Sequence, residues 1–555
     1  MDADLILTNA HVCSMDAART RHEAVAVGGG RVLAVGSADH VAALRGRRTQ
    51  VLDLGGRLVL PGFIDAHMHP KLAVCELFQV DLSACYSVVA CVREVARFAA
   101  AHPESPDVRG WGWAPTAVAE QDMTAAALDA VVPDRPVALL DDSQHMQWVN
   151  TAALRLAGIG RHTPDPSGGV IERLPDGTPS GLLRELYQQI DLALPQYGAR
   201  ARAAGVRHFQ RAVAGRYGLT TVHEAGVTSG EGVLDTYEAI QQAGELSVRF
   251  CVSLHIDPEL PVSEQVQAAV EERARHGGPL VRTGAVKLFT DGVVEGHTGF
   301  LSRPYDDRPG FCGEPMWSRE RLLEASVAAA DAGFQLHYHA IGDAAITLSL
   351  DAIAAARPQG AAAGARDMIT HLQVFDPAEF ERFARLGVTA LMQPFWFAQY
   401  RAYYDQVYVP FLGAERATHQ YPMRSFWEHG VLVASASDYP VSPPPDPLLA
   451  IQRGVLRCDL QSSDENEELW SEEAVTVEQM VESFTINGAR ANFLDDETGS
   501  LEPGKAADLV VLGGDIFELP PEEIHEARVQ LTLFGGAPAY ADGPFAGLHV
   551  PGARG

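Results

Sequence analysis

The stretch Val59–Pro70, VLPGFIDAHMHP, decides the reading of this chain. It opens as an apolar run with β-branched and aromatic residues, the pattern of a buried strand. It ends in His67-Met68-His69. Side chains at i and i+2 of a strand share a face, so His67 and His69 are expected side by side at the strand's C-terminal end, with Asp65 on that face one step earlier. Two imidazoles held on rigid backbone are the start of a zinc-type metal site. A bare His-x-His says little; the strand, the Pro61-Gly62 turn before it and the residues found further along give it weight.

Working outward, residues 3 to about 58 alternate short apolar runs with Gly-rich turns, as in DLILTNAHV, AVAVGGGRVLAVG and TQVLDLGGRLV. These are hairpin signals. GSLEPGKAADLVVLGG and VQLTLFGGAPAY repeat the pattern near the C-terminus. Residues 1–58 and 493–555 are therefore expected to build one β-sandwich from both chain ends.

Between them, residues 59–492 change rhythm. Apolar strands alternate with Ala-rich helical runs such as SRERLLEASVAAADAG, the signature of an α/β fold with parallel strands. Eight strand candidates occur: LVLPGFIDAH, LTTVHEAG, VRFCVSLH, GAVKLFTDG, GFQLHYHA, RDMITHLQ, VTALMQP and VLVASASD. Eight predict a TIM-like (β/α)8 barrel, whose active site sits at the C-terminal strand ends. A segment at about 105–202 breaks the rhythm. It holds Trp111, Trp113, His145 and the run DPSGGVIERLPDGTPSG, read as a hairpin with a turn, and is expected to be an insertion over the barrel mouth.

The chain has 555 residues, ample for a large core and too many for one simple domain. Its net charge of −29 repels phosphate backbones and anionic membranes, so neither nucleic acid nor a membrane is expected as a partner. Seven cysteines without a CxxC pair suit reduced thiols. With no basic segment followed by a long apolar run at the N-terminus, a cytoplasmic protein is expected.

The strand ends carry the chemistry. Lys287 lies in GAVKLFTDG, His339 in LHYHAIGD, His371 in MITHLQ and Asp438 in VASASDYPV. Each alone is weak. Together with His67 and His69 they make six metal-compatible side chains at matching positions, in order.

This pattern resembles the amidohydrolase superfamily of metal-dependent hydrolases, nearest its N-substituted formamide deformylase-like branch. The motifs are PGFIDAHMH, GWGW, HMQWVNTAALRLAGI, GLTTVHEAG, VKLFTDG, HAIGD, MQP, SDYPV and LEPGKAADLVVL, which span nearly the whole chain. The resemblance implies that His67, His69 and Asp438 hold one metal and that His339 and His371 hold a second. It also implies that Lys287 bridges the two as a carboxylated lysine. Two divalent ions per chain are expected, zinc first because nitrogen ligands dominate, with nickel, manganese or iron as alternatives. A metal-activated hydroxide would attack a substrate carbonyl, and Asp438 would move the proton to the leaving amine. Asp65 is read as orienting the metal histidines or capping a turn.

Substrate contacts are expected from His145, His297, Gln393, Trp396, Trp113 and Glu224, with a buried ion pair as the competing role for Glu224. His337, deeper in its strand than His339, is read as packing. The loop PFWFAQYRAYYDQVYVPF after strand seven carries eight aromatic residues, a candidate apolar wall for a substrate with a hydrophobic or aromatic group; packing against the inserted segment or a partner subunit explains it equally well. The expected activity is therefore hydrolysis of a C–N bond in an N-acyl or N-formyl amide of a small molecule. Cyclic amides, carbamates, esters and heterocycle deamination remain open on the same site. A non-catalytic binding or assembly relative is the alternative of another class, and the retained metal residues argue against it. A homodimer is the default expectation for a soluble enzyme.

Overall fold

Strand Arg45–Pro61 ties the two chain ends together. It pairs in parallel with Ala3–Cys13 and antiparallel with Leu509–Leu512, with Val511 opposite Val59 and Leu509 opposite Pro61. Around it runs one eight-stranded sheet that also takes in Ala24–Gly28, Arg31–Gly36, Val529–Phe534 and Ala537–Ala541. Alternation along these strands sends Leu5, Leu7 and Val12 from one end, and Leu509 and Leu531 from the other, into a single apolar cluster. Each such side chain contributes about 1.5–3 kcal/mol when buried. Gly29 and Gly30, at φ 59° and 77°, make the two-residue turn joining Ala24–Gly28 to Arg31–Gly36, a geometry that residues with a Cβ resist.

The computed structural model describes residues 2–114, 122–142, 146–165, 169–184, 189–190, 193–357, 362–442, 444–461 and 466–550. The chain divides into two compact units, residues 1–70 with 207–555, and Lys71–Val206. The first unit holds both the sheet and the barrel.

The long apolar run that opens the decisive stretch is two strands, not one. Val59–Pro61 belongs to the end-built sheet, and Phe63–Met68 is the first barrel strand. Gly62 is the joint: a Cβ there would stand 2.3 Å from Thr220 Cγ2 and Oγ1, so only glycine lets the chain pass. Eight parallel strands follow, here β1 Phe63–Met68, β2 Leu219–Val227, β3 Arg249–His255, β4 Val281–Phe289, β5 Gln335–Ala340, β6 Met368–His371, β7 Thr389–Met392 and β8 Val433–Ser435. They pair in sequence order. The expected barrel is present, and every one of the eight strand candidates contributes.

The seam between β8 and β1 closes just beyond the last ladder. The Asp438 N–H donates to the His67 carbonyl at 2.9 Å, and the His69 N–H donates to the Tyr439 carbonyl at 2.7 Å. Asp65 supports the seam from below, its carboxylate accepting from the Ser437 N–H at 3.1–3.2 Å. The barrel is fastened to the sheet by a buried ion pair, Arg249 Nη1 to Asp508 Oδ2 at 3.1 Å.

The second unit contains a six-stranded sheet in which Val108–Trp113 and Val137–Asp141 run parallel. The expected hairpin is there: Val170–Arg173 pairs antiparallel with Pro179–Arg184. Trp113 is fully buried in this unit's own core, and its indole N–H donates to the Leu139 carbonyl at 3.0 Å. That corrects the expectation of Trp113 as a substrate contact: the ring has no open face, because an irregularity in the ladder between Gly110 and Trp113 sets it in the same apolar cluster as Val108, Leu139 and Trp148.

Candidate active site

Seam closure brings together residues nearly 370 positions apart. Asp438 Oδ1 lies 3.3 Å from His67 Nε2 and 3.3 Å from His69 Nε2. One donor atom from each of the three lies within 4.8 Å of the others. Asp438 Oδ1 is buried and accepts no hydrogen bond of good geometry. A buried carboxylate oxygen left in this state is costly unless a cation takes it up. Burial, then the nearby Lys287, push the His67 imidazole well below its ordinary pKa, so its ring is neutral and able to ligate. For Asp438, burial raises the pKa, but the close approach of His69 and the electrostatic influence of His371 and Lys287 outweigh it and hold the carboxyl below its usual value. Two imidazole nitrogens and one carboxylate oxygen facing a common point fit a divalent metal.

Lys287, on β4, has its Nζ fully buried 3.3 Å from His67 Nε2. Burial lowers its pKa to about 7. His339 and His371 stand beside the triad, their rings 4.4 Å apart by centroid, with His371 5.3 Å from His67. His339 Nε2 is 3.1 Å from the Gly292 carbonyl, and His371 Nδ1 is 3.1 Å from Gln393 Oε1. The Asp291-Gly292 pair of VKLFTDG explains the first contact. Asp291 accepts the N–H groups of Phe300, Ile341 and Gly342, which locks the loops after β4 and β5 against each other.

Of the remaining expected contacts, Gln393, Glu224 and Trp396 stand against site histidines, and His297 pairs elsewhere. Gln393 is fully buried and donates from Nε2 to Thr370 Oγ1 at 3.0 Å, so it holds His371 rather than facing the mouth. Glu224 is fully buried, accepts from the Tyr237 hydroxyl at 2.7 Å and lies 3.9 Å from His69 Nδ1. His297 sits in the loop after β4, 2.8 Å from Asp307 Oδ2 and against Phe411. His145 lies outside the described residues. Of the loop aromatics, Trp396 stacks on His371 at 5.3 Å between centroids, while Phe395 and Phe397 are buried and Tyr400, Tyr404 and Tyr408 bond to Asp459, Thr418 and Glu295.

Sequence reasoning set His337 aside as packing, yet its Nε2 lies 2.8 Å from His67 Nδ1. The signal available was its i−2 spacing from His339 on the same strand face.

Residues 50–540 match the Amidohydrolase family. The chain belongs to that family. It is 31% identical to the N-substituted formamide deformylase of Arthrobacter pascens over 557 residues, covering 97% of this chain and 98% of that protein. It is also 31% identical to YtcJ of Bacillus subtilis (strain 168) over 532 residues, 94% and 96% of the two chains. The fold is shared with an uncharacterized metal-dependent hydrolase from Pyrococcus horikoshii OT3, at TM-score 0.74 and 23% identity over 93% of this chain and 99% of that one. As an amidohydrolase, the chain is a hydrolase acting on carbon–nitrogen bonds. Among the described residues no helix is long and apolar enough to cross a membrane.

Proposed function

We propose that this amidohydrolase cleaves the C–N bond of an N-acyl or N-formyl amide whose amine side carries an apolar or aromatic group. The observation that carries this reading is Asp438 Oδ1 standing 3.3 Å from both His67 Nε2 and His69 Nε2. His67, His69 and Asp438 would hold one divalent cation, zinc first. His339 and His371 would serve a second, and Lys287 would join the two if its amine added carbon dioxide. A pKa near 7 leaves much of that amine neutral at physiological pH, as carbamate formation requires. The chemistry such cations supply is Lewis acidity, which makes water nucleophilic near neutral pH and polarises a carbonyl.

The chain's own residues do the rest. Asp438, held ionised, accepts a proton from the attacking water and delivers it to the departing nitrogen. A C–O bond forms, the C–N bond breaks, and a carboxylate and an amine leave. Gln393, hydrogen-bonded to His371, holds that imidazole in place, and Glu224 sets a carboxylate 3.9 Å from His69 Nδ1. Trp396 offers an apolar face next to His371, which supports a hydrophobic substituent on the substrate. The aligned deformylase supports the formamide choice.

The test is turnover of N-formyl and N-acetyl derivatives of one aromatic amine, on protein as purified, after chelation, and after return of zinc. Activity lost on chelation and restored by zinc, with the formyl compound preferred, is expected. Activity indifferent to chelation would reject the metal site, and turnover of cyclic amides alone would reject the substrate class.

A further inference from the structure

Behind His67 runs a chain of buried side chains that the proposed chemistry does not use. His67 Nδ1 lies 2.8 Å from His337 Nε2. His337 Nδ1 lies 3.0 Å from Ser253 Oγ, and the same hydroxyl is 2.7 Å from His223 Nε2. His223 Nδ1 lies 2.6 Å from Asn492 Oδ1. The amide N–H of Asn492 donates to the Gly488 carbonyl at 2.9 Å. The five residues come from β1, β5, β3, β2 and the end of the helix Ile486–Ala491, and all are buried.

The geometry points to a positioning role: Asn492, through His223, Ser253 and His337, sets the proton on His67 Nδ1 and leaves Nε2 bare for the metal. A neutral imidazole donates from one nitrogen and accepts at the other. The chain could therefore run with either polarity and keep the same number of internal hydrogen bonds. Asn492 removes that choice. Its Nδ2 is committed to the Gly488 carbonyl, so its Oδ1 faces His223 and can only accept. His223 then donates from Nδ1 and must accept at Nε2, from the Ser253 hydroxyl. Ser253 Oγ, having donated, accepts from His337 Nδ1–H. His337 Nε2 is left as an acceptor, and His67 donates to it from Nδ1. His67 Nε2 thus carries a lone pair, and it is the atom 3.3 Å from Asp438 Oδ1. Reversed polarity would place a proton on Nε2 and block it as a ligand. The hydrogen bond on the far nitrogen of a ligating histidine commonly selects its tautomer. Here the selection begins four hydrogen bonds away.

This inference rests on the metal-site reading above. The experiment is a zinc titration of chelator-stripped protein against a chromophoric competitor, with circular dichroism to check folding. Ser253→Thr keeps the hydroxyl, and Ser253→Val has the same shape without it. Zinc affinity is expected to stay within about threefold of wild type in Ser253→Thr and to fall about 10–100-fold in Ser253→Val. Ser253→Ala, which only removes an atom, is expected to fall likewise and serves if the valine does not fold. Asn492→Leu, which abolishes the polarity-setting acceptor, is expected to lose about tenfold or more at a site it does not touch. Equal affinity of the hydroxyl-bearing and hydroxyl-free variants, in a wild type that binds zinc, would overturn the tautomer chain alone. A wild type that takes up no zinc would overturn the site reading and this inference with it.

Discussion

Asp438 meets His67 twice. Its backbone N–H donates to the His67 carbonyl at 2.9 Å, and its side-chain Oδ1 stands 3.3 Å from His67 Nε2. The first contact closes the barrel and the second builds the candidate metal site. Fold closure and site assembly are therefore the same event, and Asp438, at φ 59°, is held in the left-handed region to do both.

Replacing Asp438 with Asn separates the two roles. Asn tolerates positive φ and keeps the backbone hydrogen bond, so the barrel should stay closed. The proton carrier is lost. With zinc saturating, kcat is expected to fall about 10²–10⁴-fold with an unchanged circular dichroism spectrum. Retention of more than half the activity would assign proton transfer to another group.

Asp508→Ala should be the most destabilising single change at the junction of sheet and barrel. Asp508 Oδ2 receives Arg249 and Thr498 Oγ1, and its Oδ1 receives the Gly535 N–H. Truncation strands a buried guanidinium. A loss of about 3–5 kcal/mol is expected, read as a lower denaturation midpoint. A midpoint within experimental error of wild type would mean that the pair is replaceable by water.

Trp396→Ala tests the apolar wall. The ring's stack on His371 affects all substrates alike, so the informative quantity is a ratio. KM for an aromatic amide should rise about tenfold more than KM for a small aliphatic one, an aromatic contact being worth about 0.5–1.5 kcal/mol. Equal changes would make the loop architectural.

Cys251, on β3 and packed among Ile64, Ala489 and Leu494, has its thiol pushed up to about 12 by burial. An acid whose folded pKa is raised contributes stability that is full below its ordinary pKa of 9 and is lost as pH climbs toward 12, because only the unfolded chain releases the proton in that window. Cys251→Ala is expected to show a shallower decline of Tm between about pH 9 and 11 than the native protein. Parallel declines would mean that other groups, among them Cys91, also raised to about 12, carry the alkaline transition.

Much of this was legible locally. Period-two alternation around VLPGFIDAHMHP, the eight apolar runs, and His67, His69, Lys287, His339, His371 and Asp438 at their ends depend on near neighbours only, and near neighbours are what a sequence displays. Trp113 misled because an aromatic in a Gly-rich motif looks the same whether its ring faces a cavity or a core. Gln393 misled similarly: its neighbours in sequence do not reveal that His371 and Thr370 absorb both ends of its amide.

By itself the sequence determined the strand order and the residue types available for a metal. Tertiary structure alone decided which histidine meets which. His337 and His67 are 270 residues apart, and His223 and Asn492 are 269 apart. No periodicity spans such distances. Only closure of the barrel, which sets β1 against β8 and turns alternate side chains of β1, β2, β3 and β5 toward one interior, places those groups within hydrogen-bonding reach.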